Sequence, residues 1–255
     1  MHPNAVHVWH LPFPDYGAYA EINMRLLSED EREKANRFVF ERDRAHYVTA
    51  RAALRCLLGG YLLTDPAEIH FSYGVCGKPE LGGELAGRLQ FNLAHAGNWA
   101  IYAVSGGSEI GIDTEPLNNN DASWQQLAPM VFSRHEQAEL ASIPLQEKHL
   151  AFLRGWTRKE AYVKGCGDGL SLALDSFSVP LGSIERQKAV SAADGHSPPD
   201  NWWIYPLDPI PAHVTALAVK SRTAAISIHR WNGPAAAFQR SLDPIQLYLE
   251  QAWKT

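Results

Sequence analysis

The chain has 255 residues, 45% of them hydrophobic, and a formal net charge of −5. That length allows one large domain or two modest ones, the mild acidity argues against nucleic-acid binding as the main task, and no apolar run is long enough to cross a bilayer. Cys56, Cys76 and Cys166 lie far apart with no C-x-x-C pair, so reduced thiols are expected. Met1 to Pro14 carries no basic, apolar leader, and a cytoplasmic location is the expectation.

In chain order, the His, Trp and Pro residues of Met1 to Pro14 suit a short strand and loop. Ser28, followed by Glu29, Asp30 and Glu31, reads as a helix N-cap with acids in its first turn. A second helix is expected from about Arg44 to Leu63, where Tyr47, Leu54, Leu58 and Tyr61 recur at helical spacing. Arginines and lysines crowd Arg25 to Arg55, so a basic face could meet phosphates there. Phe71 to Tyr73 is strand-like, and Gly77-Lys78-Pro79 makes a stiff turn carrying one lysine. Strands are expected at Leu89 to Leu93 and at Trp99 to Val104, with His95 in the turn between them. The apolar run at Ile110 ends in Asp113 and Glu115, whose side chains share one face of a strand. Two such carboxylates are either half of a magnesium site or a strand end with two solvated acids.

Glu115 to Asp121 is a polar, turn-rich break and the expected domain boundary. Ser133 and Glu136 have capping-box spacing. The next helix places Trp156, Glu160 and Lys164 in one row, with Lys159 beside them, and ends in the glycine-rich stretch Gly165 to Gly169. On its own the Glu160–Lys164 pair is better read as a solvated helix staple.

Taken in order, Gly77-Lys78-Pro79, Phe91 to Trp99, Ile110 to Glu115, Phe132-Ser133 and Trp156 to Glu160 with Lys164 resemble the phosphopantetheinyl transferase superfamily, in its longer, surfactin-synthetase-activating (Sfp) type. The resemblance implies an α+β fold of two pseudo-symmetric halves, 1–115 and 116–255. Each half would be a small, three-stranded antiparallel sheet on a long helix, with coenzyme A in the cleft between them. Helix Arg44 to Leu63 and strand Trp99 to Val104 would be matched by helix His149 to Gly165 and strand Val214 to Val219; Leu170 to Val179 and Trp202 to Tyr205 are further strand-like segments.

The activity implied is transfer of 4'-phosphopantetheine from coenzyme A to a serine of an apo carrier protein, acyl or peptidyl, releasing 3',5'-ADP. Asp113, Glu115 and Glu160 would surround Mg2+, with Mn2+ an alternative. Glu160, with Asp113 as a second candidate, would serve as general base, and Lys164 and His95 would contact the pyrophosphate. Lys34 matches a position binding the ribose 3'-phosphate. Tyr73, Gly77, Lys78 and Pro79 match the adenine side, and Asn92 lies in the motif around His95. Arg51 joins them on charge alone. Four positions depart from the pattern: Glu31 and Asp168 where basic residues are usual, Ala94 where serine is usual, and Thr114 between the metal carboxylates. The carrier would dock near Pro116 to Val131, with Leu127 and Met130 exposed. A monomer without nucleic-acid or membrane partners is expected. A metal-dependent phosphoesterase and an inactive carrier-binding module are the competing classes.

Overall fold

The structure, a computed structural model, describes residues 1–13, 20–117, 123–167, 172–183, 187–188, 191–192 and 201–231. Strand β1 (Ala5–Pro12) is followed by helices α1 (Ala20–Leu26), α2 (Glu29–Asn36) and the 22-residue α3 (Glu41–Leu62). The short hairpin β2 (Phe71–Tyr73) and β3 (Pro79–Leu81) leads to β4 (Gln90–Ala96), β5 (Trp99–Ser105) and β6 (Ile110–Pro116). Helices α4 (Trp124–Val131), α5 (Arg134–Ser142) and the 22-residue α6 (Leu145–Cys166) come next. Strands β7 (Phe177–Ser178), β8 (Gln187–Lys188), β9 (Ser191–Ala192), β10 (Trp203–Leu207), β11 (His213–Val219) and β12 (Ala225–Arg230) complete the described chain. No helix among the described residues is long and apolar enough to cross a membrane.

The fold is α+β with two similar halves. Alternating side chains on β5 send Tyr102 and Val104 toward Leu54, Leu57 and Leu58 of α3, and Ile101 and Ala103 to the opposite face. There they meet Ile110, Ile112, Leu217 and Val219 of the second sheet, whose other face packs Ala216 and Ala218 against Ala161 and Tyr162 of α6. The layers therefore run helix, sheet, sheet, helix. Each fully buried leucine of α3 contributes roughly 2 kcal/mol by leaving water.

Three features differ from the sequence expectation. Among the described residues each main sheet has four strands, ordered β12-β1-β5-β4 and β6-β11-β10-β8, and β12 runs parallel to β1. Strand β6, expected in the first half, pairs along its whole length with β11, while β12 from the second half completes the first sheet. Hydrophobic alternation marks a strand and its buried face but not its neighbour, so sheet membership was not readable. Finally, β4 runs through Ala96 and pairs His95 with Ala100, so His95 stands on a strand. The loop is only Gly97-Asn98, where Gly97 takes the positive φ of 55° that such a tight hairpin requires.

The β1–β12 seam carries an aromatic cluster. His7 Nδ1 and the Tyr61 hydroxyl lie 2.6 Å apart, Trp9 Nε1 donates to the same hydroxyl, and the His229 ring stacks on Trp9 at 4.5 Å. Burial, then the charges of His229 and the N-terminus, push the His7 pKa down to about 4.

Candidate active site

Gly111, Asp113 and Glu115 face α6 from β6. An added Cβ at Gly111 would lie 2.0 Å from the Ala161 carbonyl and 2.3 Å from the Gly165 nitrogen, so only glycine lets helix and strand approach this closely. That approach brings Lys164 Nζ to 2.6 Å from Asp113 Oδ1 and lets Trp156 Nε1 donate to Glu115 at 3.2 Å. The second oxygen of Asp113 is buried with no hydrogen-bond partner. Burial pushes the Asp113 pKa up to about 7 against the pull of Lys164, with the negative charges of Glu115 and Glu160 adding to the rise. Burial also raises Glu115.

The oxygen donors and the orphaned Asp113 Oδ2 fit a hard divalent cation. Among the described residues, however, no three acidic, histidine or cysteine side chains converge into a cluster that could hold a metal ion. Lys164 is the cation that Asp113 meets here.

Beside this wall opens a cleft of about 1220 Å³. Lys34, Arg51, Tyr73, Gly77, Lys78 and Pro79 line it, as do Asn92, His95, Glu160 and Lys164. Both halves thus contribute, and residues read from the sequence as ligand contacts share one space. Asp113 and Glu115 are not among its lining residues.

Several of these side chains already have partners. Arg51 is buried, donates to Glu31 at 2.6 Å and to the Tyr73 hydroxyl at 2.5 Å, and stacks over Phe71. Glu31 also accepts from Arg55 at 2.7 Å, so its charge is neutralised between two guanidiniums instead of facing the cleft. Lys34 lies 5.4 Å from the centre of the Tyr47 ring. Lys78 donates to the Gly165 carbonyl at 2.8 Å, and Asn92 Oδ1 accepts from the Ile112 amide at 2.9 Å. His95 is exposed, and its pKa is lowered by partial burial of the ring and then by the charge of Lys164.

Other expectations resolve simply. The Ser133–Glu136 capping box forms. Thr114 turns away from the carboxylates and shares a 2.9 Å hydrogen bond with Thr215. Ala94 is buried among apolar neighbours. Gly167 ends α6 at φ 78°, its N–H on the Val163 carbonyl, whereas Asp168 and Gly169 lie outside the described residues. None of the three cysteines forms a disulfide.

Sequence reasoning missed the roles of Gly111 and Trp156, although the i, i+4 spacing of Trp156 and Glu160 carried a signal for the second. Phe13 and His46, stacked at 4.1 Å, also line the cleft. Nothing local marks them, because the fold alone brings the end of β1 to α3.

This cleft, with cations from both halves and the paired carboxylates of β6 behind Lys164, matches the resemblance read from the motifs. Residues 109–218 match the 4'-phosphopantetheinyl transferase superfamily and residues 14–106 match the family's N-terminal region. Every candidate site residue falls within those two stretches. The chain belongs to the 4'-phosphopantetheinyl transferase superfamily. Among its relatives, it is 38% identical over 188 residues to the 4'-phosphopantetheinyl transferase HetI of Nostoc sp., covering 73% of this chain and 78% of that protein. To the 4'-phosphopantetheinyl transferase Sfp of Bacillus subtilis it is 33% identical over 178 residues, 69% of this chain and 75% of Sfp.

Proposed function

We infer that the cleft binds coenzyme A for transfer of its 4'-phosphopantetheine to a carrier-protein serine, the activity class to which the family assigns this chain. The observation that carries the reading is the convergence of Lys34, Arg51, Lys78, His95 and Lys164, drawn from both halves, on one cleft that also holds Glu160. Lys34 and Arg51 would meet the 3'-phosphate, and Tyr73 to Pro79 the adenine. Lys164 and His95 would donate to the diphosphate, where negative charge grows as the leaving group departs.

Asp113, Glu115 and Glu160 would hold Mg2+, or Mn2+, together with phosphate oxygens of the substrate. When bound, the ion supplies positive charge against the diphosphate. The unpartnered Asp113 oxygen supports this assignment. Glu160 takes the proton of the carrier serine as its oxygen bonds to phosphorus and the bond to 3',5'-ADP breaks. The carrier docks beside α4, where Met130 is 73% exposed. Both cleft walls come from one chain, which supports a monomer, and cysteines not joined in disulfides suit a cytoplasmic location.

The test is loading of apo acyl and apo peptidyl carriers with coenzyme A and Mg2+, read by mass spectrometry. Glu160→Gln and Asp113→Ala are expected to lower transfer by about 10²-fold or more with the fold intact, and chelation to abolish it. Wild-type rates in either variant would overturn the assignment of the carboxylates; absence of any adduct would overturn the function.

A further inference from the structure

We propose that Asn92 and Lys78 are positioning residues that replace the strand missing from the open edge of β6, and so hold Asp113 and Glu115 beside the cleft. The inference rests on the transferase reading for its catalytic consequence, though not for its geometry. Among the described residues, strand β6 is the edge of its sheet and pairs only with β11. Backbone groups of alternate residues in a strand point to opposite edges. The hydrogen bonds from Lys220 to the Glu109 carbonyl and from Leu117 to the Ala212 carbonyl put the odd-numbered residues of this stretch on the β11 side. Ile110 and Ile112 therefore aim their polar groups at the open edge, inside the protein.

Two side chains of the first half meet them. Asn92 Oδ1, on β4, accepts from the Ile112 amide at 2.9 Å in a buried contact. Lys78 Nζ donates to the Ile110 carbonyl at 3.4 Å and to the Gly165 carbonyl at 2.8 Å, tying the head of β6 to the end of α6. Asp113 lies one residue beyond the first grip, and Lys164, its ion-pair partner, one residue before the second. Both grips act across the boundary between the halves, so they fix the carboxylate strand relative to the wall that carries His95. An amide oxygen and an ammonium engaged in this way act on transfer through β6, in addition to facing the cleft.

The experiment uses the full chain. In the apo protein, Asn92→Ala is expected to speed hydrogen exchange at the Ile112 amide by about tenfold or more relative to β5 amides, and Asn92→Asp, which keeps an acceptor oxygen, to restore slow exchange. In transfer assays Asn92→Ala is expected to lower kcat by about fivefold or more with KM for coenzyme A changed by less than about threefold; Lys78→Met, which also removes a cation from the cleft, is expected to lower kcat and raise that KM, and the double variant to lose less kcat than the product of the two. Should Asn92→Ala fail to fold, Lys78→Met carries the exchange test on the same strand. Unchanged exchange along β6, or a raised KM with kcat intact, would reduce both residues to plain substrate contacts and overturn the proposal while leaving the transferase reading in place. A wild-type chain that loads no carrier would sink only that reading, because exchange in the apo protein decides the grip without substrate.

Discussion

The two halves contain the same buried device. In the first, Ser28 opens α2, its N–H bonded to Glu31, and Glu31 is clamped by Arg51 and Arg55 of α3. In the second, Ser133 opens α5, its N–H bonded to Glu136, and Glu136 is clamped by Lys159 of α6 at 2.7 Å, with both side chains wholly buried. The difference lies in where the cation goes next. Arg51 continues to Tyr73 and forms part of the cleft wall, whereas Lys159 turns inward to the carbonyls of Leu174 and Phe177. One clamp therefore shapes a binding surface and the other fixes a core, which leaves Glu160 and Lys164 of α6 to face the cleft.

Removing each glutamate separates these roles. Glu136→Gln strands a buried ammonium, and urea unfolding is expected to show a loss of about 3–5 kcal/mol, with KM for coenzyme A unchanged in the folded fraction. Glu31→Gln is expected to cost a similar amount and also to raise that KM several-fold, because Arg51 loses its anchor. Equal KM values in the two variants would erase the distinction. A smaller effect sharpens the contrast at the helix–strand contact: Gly111→Ala should destabilise by about 3 kcal/mol and lower transfer, since α6 must move off β6. A wild-type melting temperature would contradict the close approach.

The last effect belongs to the first sheet alone. Unfolded His7 binds its proton near pH 6.5, but the folded residue does so only near pH 4. Each step of acidification through that window therefore favours the unfolded chain, and the urea midpoint should fall as pH drops from 6.5 toward 4. His7→Phe should flatten that slope; an unaltered slope would assign it to other groups.

Much of this was legible because it is local. The N-cap at Ser28 and the capping box at Ser133 and Glu136 announce themselves in four residues, and the carboxylate pair and the row Trp156, Glu160, Lys164 follow from strand and helix periodicity. Glu31 shows the limit. The family resemblance implies an anion weakening a phosphate site, while its partners stand 20 and 24 residues away on another helix. The hold of Asn92 and Lys78 on β6 was equally hidden, since it depends on which edge of a strand is left open.

The parallel pairing of β1 with β12 has a consequence for the order of events in synthesis. The strand that opens the first sheet finds its outer neighbour more than two hundred residues later, at Ala225–Arg230. As the chain leaves the ribosome, the sheet that carries Asn92 and His95 stays one strand short until Arg230 emerges. The half made first is thus finished last, by a long-range closure of the kind that slows folding.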